Sequence, residues 1–278
     1  MFLSALVVGT MLTTTAQSQV KMPQASPTQT IKQDFGIGEI ELTYSRPSIK
    51  GRKVFGDNSE LAPLGKMWRT GANGATKIKF TDKVSVGGKA LDSGTYVIYT
   101  IPNKGQWEII INKGITNWGT DGYKDSLDVV RFKVMAKSIY EYAETFSMQF
   151  GKMRSDSCEL TMTWGFVSLS IPITTNIKDR LRKQIEEALK SDKKPPYQQA
   201  ANFYYEWDKN LPKALENIKL AIAANPKAFW MYLTQAKIQK DMGDKEGAKM
   251  SAEKTIEIAT AEKNDDYVKM AKDLIEKL

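Results

Sequence analysis

The sequence predicts an α+β chain in two domains, an antiparallel β-sandwich followed by an array of helical hairpins. Three observations predict it. Between Ile31 and Ile173, apolar residues recur at every second position in short runs separated by turn signals. After Asn176 they recur every fourth position, at Ile177, Leu181, Ile185 and Leu189. At 278 residues, the chain also exceeds one average domain and leaves length for two cores.

Residues 1–16 read as a secretory signal. Residues 2–12 are apolar for about the length of a signal core, and Thr14, Thr15 and Ala16 offer small side chains for cleavage. The run is shorter than the roughly 20 apolar residues a bilayer span needs, and no cysteine near the cleavage point offers a bacterial lipid anchor. The expectation is an exported protein, periplasmic or extracellular, with no membrane span. Residues 17–29 are polar, hold Pro23 and Pro27, and read as a linker.

Residues 30–175 read as the sandwich. Ile40, Leu42 and Tyr44 alternate with Glu39, Glu41 and Thr43, and the pattern repeats in TKIKF, KVSVGGKAL, TYVIYTIP, WEIIIN, VVRFKVMAKSIY, ETFSMQF and CELTMTWGFVSLSIPI. Gly87-Gly88, Asp92-Ser93-Gly94, Pro102 to Gly105 and Ser155 to Ser157 supply the turns. Residues 176–278 read as helical, with Ile177, Leu181, Ile185 and Leu189 on one stripe after an N-cap at Asn176.

Within the helical part, Ala214 and Ala248 stand at equivalent places in LPKALENIKLAIAANP and KEGAKMSAEKTIEIAT, 34 residues apart. This stretch resembles the tetratricopeptide family. Tyr205, Ala214, Ile218, Ala221 and Pro226 fall at signature positions in a first unit; Tyr232, Ala236, Gly243, Ala248 and Ala252 do so in a second. Asn202 and Thr260 depart from the pattern. The resemblance implies a groove for an extended peptide, with Asn202, Tyr205, Lys237 and Lys240 as groove positions. A solvated helix face is the other reading of each.

Composition excludes much chemistry. Histidine is absent and Cys158 is the single cysteine, which removes imidazole bases, Ser-His and Cys-His pairs, and nearly all transition-metal sites. We expect no metal, no cofactor and no catalytic residue. Cys158 reads as a small buried hydrophobe. The net charge of +8 is divided between both parts, with 20 Lys/Arg against 17 Asp/Glu in residues 176–278. A nucleic-acid binder concentrates its charge on one face or arm, so nucleic acid is not expected as a partner.

The segment GKMWRTGANGATKIKF interrupts the strand pattern. With YSRPSIKGRKVFG before it and VGGKALDSGTYVIYTIP after it, it resembles the domain-of-unknown-function 2911 family of exported bacterial proteins, over about residues 30–175. Members commonly carry an acidic residue after GAN, where this chain has Gly74. The resemblance implies no chemistry. Tyr44, Arg46, Arg52, Trp68, Arg69 and Asn73 either converge on an anionic or sugar-like ligand or hold the fold, with Trp68 plugging one end of the sandwich.

The sequence supports two functions. One is an exported, non-catalytic binding or scaffold protein of the cell envelope, holding a protein or peptide partner on its helical array. The other is a carbohydrate-binding module or carboxylate-dependent glycosidase. In that case Trp107, Trp118 and Trp164 stack on the glycan, and Asp121, Asp125 and Asp128 lie nearby in NWGTDGYKDSLD.

Overall fold

The computed structural model describes residues 22–191 and 193–278. The signal segment 1–16 and residues 17–21 of the polar stretch lie outside the described residues. The chain divides into two compact units, the first ending at Ile173 and the second beginning at Thr174.

In chain order the strands begin with β1 (Thr28–Phe35), β2 (Gly38–Ser45), β3 (Phe55–Gly56), β4 (Ala62–Pro63), β5 (Thr76–Phe80) and β6 (Val84–Val86). They continue with β7 (Lys89–Leu91), β8 (Gly94–Ile101), β9 (Gln106–Asn112), β10 (Asp128–Met135), β11 (Lys137–Gly151) and β12 (Ser157–Thr174). One sheet has the order β1-β2-β5-β8-β9-β10, with every neighbouring pair antiparallel. A second has the order β11-β12-β6-β7, and β3 and β4 form a short parallel pair.

The inward residues of both larger sheets share one core, including Leu42, Ile98 and Ile109 from the first and Leu160, Ile171 and Ile173 from the second. That arrangement is a sandwich-like β unit. Strand β1 starts at Thr28, two residues inside the stretch read as linker. Its outward positions are polar, and hydroxyl pairs across the strands (Thr28 with Ser45 at 3.1 Å, Thr30 with Thr43 at 2.9 Å) replace the apolar alternation there.

Strand β12 is not straight. Thr161 Oγ1 lies 3.0 Å from Ser170 Oγ, and Thr163 Oγ1 lies 3.4 Å from Ser168 Oγ. An extended strand would hold positions nine residues apart about 30 Å from each other, so the chain doubles back. The reversal sits at Gly165, whose φ of +59° suits a tight hairpin turn.

The second unit holds helices α1 (Lys178–Ser191) and α2 (Tyr197–Asn202), the latter running into a π-helical turn at Phe203–Trp207. Helices α3 (Leu211–Ala224), α4 (Phe229–Asp241), α5 (Lys245–Ala261) and α6 (Asp265–Ile275) follow. Three starts carry side-chain caps: Asn210, Asp244 and Asn264 accept the backbone N–H of Lys213, Gly247 and Tyr267. Ala200, Ala214, Ala236, Ala248, Ala252 and Ala271 are fully buried, and such small side chains let paired helices approach closely. Leu181, Ile185 and Leu189 of α1 pack against the cluster formed by Ala200, Phe203, Tyr204 and Ile218.

Candidate functional site

Residues 68–74 are held by backbone and side-chain hydrogen bonds and include two non-glycine residues at positive φ, Thr70 and Asn73. Trp68 exchanges both backbone hydrogen bonds with Thr100 on β8, at 2.7 and 3.0 Å. Two residues on, Thr70 is fully buried at a φ of +56°, a left-handed conformation that a β-branched residue adopts only when its surroundings impose it. The Thr76 hydroxyl donates to Thr70 O at 2.5 Å, and the Thr70 hydroxyl reaches Thr100 Oγ1 at 3.2 Å. Arg69 therefore springs from a backbone clamped on both sides.

The structure separates the tryptophans. Trp107 and Trp164 are 4% and 2% exposed and belong to an aromatic core with Phe55, Trp68 and Phe146. Trp68 stacks on Trp164, and its Nε1–H donates to Gly71 O at 3.0 Å. Neither Trp107 nor Trp164 presents a ring face to a glycan, which corrects the expectation that they stack on one. Both lie on inward positions of an alternating strand. Trp118 is different: it is 66% exposed, on the loop between β9 and β10.

Most of the polar candidates around this segment serve backbone partners. The buried Tyr44 hydroxyl accepts Met148 N–H at 2.9 Å and lies 2.8 Å from Gln29 Oε1 and 3.1 Å from Met148 O. Burial pushes its pKa up. Arg46 Nε donates to Phe146 O at 3.1 Å, and Arg52 donates to Ile49 O and Ser48 O at 3.0 and 2.8 Å. Both guanidiniums thus close loops of the sandwich. Asn73, at a φ of +58°, donates to Ser26 O and Ser45 Oγ. Arg69 spends one N–H on Asn73 O at 2.8 Å.

Two concavities flank Asn73. One, of about 560 Å³, is lined by Ser26, Thr28, Thr43, Ser45, Lys77 and the exposed Trp118. The other, of about 370 Å³, is lined by Glu60, Met67, Arg69, Asn73 and Thr120, with edges of Trp68 and Trp164 at its floor. Arg46 and Arg52 line neither. Glu60 and Thr120 were not candidates in the sequence, where nothing marks them apart from surface loop residues.

The acidic loop is internally satisfied at Asp128. Its carboxylate accepts from Asn112 Nδ2 and the Tyr123 hydroxyl, each at 2.7 Å, and from Arg131 at 2.9 Å. Burial and the Asp128 charge push the Tyr123 phenol up to about 12. Asn117 and Tyr123 of this loop cover Tyr99 on the outer face of the six-stranded sheet. Among the described residues, no group of three His, Cys, Asp or Glu is placed to hold a metal ion.

In the helical unit, Tyr205, Lys237 and Lys240 line one cavity of about 460 Å³, with Asp241, Met270, Asp273, Leu274 and Lys277. Asn202 is not among its lining residues. The Tyr205 hydroxyl donates to Asp241 Oδ2 at 2.7 Å, and burial followed by the Asp241 charge pushes that phenol upward. Asp273 pairs with Lys269. Sequence reasoning missed Asp241, Met270 and Lys277, which reach the cavity only through the packing of α4 with α6.

Fold and sites together define a two-unit protein: a sandwich-like β unit with concavities around a strained loop, then six helices. Among the described residues, no helix is long and apolar enough to cross a membrane. Residues 26–173 match a family described as protein of unknown function (DUF2911), and the chain belongs to that family. No curated protein matches the chain in sequence.

Proposed function

We propose that this chain is an exported cell-envelope protein that binds rather than transforms its partner, holding an extended peptide in its helical unit. We read its paired helices as tetratricopeptide-like, on the 34-residue spacing of Ala214 and Ala248. The observation that carries the proposal is the 460 Å³ cavity. Lys237, Lys240 and Lys277 line it without a carboxylate within ion-pair distance among the described residues, while Asp241 and Asp273 are engaged by Tyr205 and Lys269. Met270 and Leu274 supply an apolar floor. Unpaired ammoniums beside apolar surface suit a peptide with acidic and apolar side chains.

Fluorescence anisotropy with labelled acidic, neutral and basic peptides tests this. Acidic peptides should bind tightest, and Lys237→Glu with Lys240→Glu should weaken them at least about tenfold. Equal affinity for all three peptides, or no change in the variant, would overturn it. Export rests on residues 1–16 and is tested by fractionation with intact-mass analysis; a full-length product confined to the cytoplasm would refute it.

A second reading, glycan binding in the β unit, is favoured by Trp118, which stands 66% exposed on the rim of the 560 Å³ concavity. Oligosaccharides that raise the melting temperature of the natural protein but not of Trp118→Ala would support it.

A further inference from the structure

We propose that the 370 Å³ cavity beside Arg69 binds a small zwitterion of the amino-acid type with an apolar side chain. The volume falls within the range of small-ligand pockets. Its wall carries one cation and one anion, Arg69 and Glu60, which do not approach within ion-pair distance of each other. Among the described residues, neither has an ion-pair partner elsewhere. The two charges face the same space and remain available to a ligand.

Arg69 is built to receive a carboxylate. A guanidinium offers five N–H donors, and the structure assigns one of them, to Asn73 O. The backbone that carries it is held by Trp68 on Thr100 and by Thr76 on Arg69 O and Thr70 O. The guanidinium also lies against the chain at Gly119, where an added Cβ would meet Arg69 Nη1 at 2.6 Å. A fork so fixed loses little freedom on binding a planar carboxylate.

The presence of Glu60 decides the ligand class. A simple anion would place a like charge near Glu60, a simple cation would face Arg69, and a neutral sugar would leave both charges unmatched. A zwitterion satisfies both, its carboxylate on Arg69 and its ammonium on Glu60. Leu61, Pro63 and Met67 complete the wall with apolar surface for the side chain. This site lies in the β unit and does not depend on the peptide reading of the helical unit.

The test is isothermal titration of the full chain with free L- and D-amino acids bearing apolar side chains, and with their N-acetyl and carboxamide derivatives. We expect the free zwitterion to bind, and each blocked derivative to bind at least about tenfold more weakly. Arg69→Gln should abolish the preference for acid over amide, and Glu60→Gln the preference for free amine over N-acetyl. Glu60 is exposed, so its variant keeps the fold and the test stands even if Arg69→Gln does not fold. No heat from any free amino acid, equal binding of blocked and free forms, or a preference for free amine over N-acetyl that persists in Glu60→Gln would overturn the proposal.

Discussion

The indole of Trp68 lies flat on that of Trp164, with centroids 5.4 Å apart and planes 15° from parallel. Trp68 belongs to the loop that enters β5, and Trp164 stands beside the reversal in β12, so the pair joins the larger sheet's entry loop to the smaller sheet. Both are buried and each donates its Nε1–H to a backbone carbonyl, Gly71 and Glu144. Trp68→Ala should cost about 3–5 kcal/mol of β-unit stability. Trp68→Phe keeps most of the apolar volume but leaves Gly71 O without this donor, and should cost about 1–3 kcal/mol. Urea unfolding followed by circular dichroism measures both; a Trp68→Phe variant as stable as wild type would show that the hydrogen bond adds nothing, and equal losses that the apolar volume Phe keeps adds nothing.

Gly71 tests the constraint on the loop. Its φ of +156° is one that side chains rarely adopt, and a Cβ there would meet the backbone oxygen of Ser45 at 2.9 Å. A backbone neighbour cannot rotate away. Gly71→Ala should therefore lower stability by about 2 kcal/mol or more, whereas Gly74→Ala, with nothing within 4 Å of its Cβ, should be nearly neutral. Similar melting temperatures for the two variants would mean that the loop yields more easily than its contacts imply.

The alternation of Cys158, Leu160, Met162 and Trp164 made β12 legible as a strand, yet the reading of Trp164 as a glycan-stacking residue overlooked that it shares the inward parity of Leu160. Trp118 sits among Asn117, Gly119 and Asp121, without alternation, and is exposed. The helical part was legible for a different reason. Buried alanines recur with helical spacing because close helix packing admits no larger side chain there. The fold-back at Gly165 was hidden, because both arms of the hairpin are apolar and one glycine reads equally as a bulge. The meeting of Glu60 with Arg69, and of Tyr205 with Asp241, was hidden because tertiary packing alone creates it.

Helix α1 is tied to its unit by charge as well as by Leu181, Ile185 and Leu189. Asp208 accepts from Arg182 and pairs with Lys178 at 3.3 Å. The hydrogen bond from Arg182, and then that from Lys178, hold its pKa below the usual carboxylate value. The sign follows from linkage: a depressed folded pKa stabilises above the unfolded value, and that contribution is lost as pH falls through the folded one. Amide hydrogen exchange in α1 should therefore accelerate relative to α5 as pH drops below about 4. Asp208→Asn should show the faster α1 exchange already at neutral pH. Unchanged protection in that variant would assign the docking of α1 to its apolar side chains alone.

Cys158 offers the sharpest pH test, because one cause acts on it. The thiol is 3% exposed, and burial pushes its pKa from the ordinary 9.0 to about 11. The native state therefore keeps its proton over a window in which the unfolded chain has released it. The resulting stability is fully present below pH 9 and declines as pH rises toward 11, by about 2–3 kcal/mol for a shift of this size. Tyrosines such as Tyr123, raised from the ordinary 10.0 to about 12, also lose stability as pH rises through an overlapping window, so the wild-type curve alone is ambiguous. The difference between wild type and Cys158→Ala removes them. It should be a constant cavity cost of about 1 kcal/mol below pH 9, and should shrink or reverse sign by pH 10.5. A difference that stays flat across that range would mean that the native thiol ionises as readily as the unfolded one and that solvent reaches the core beside Leu160.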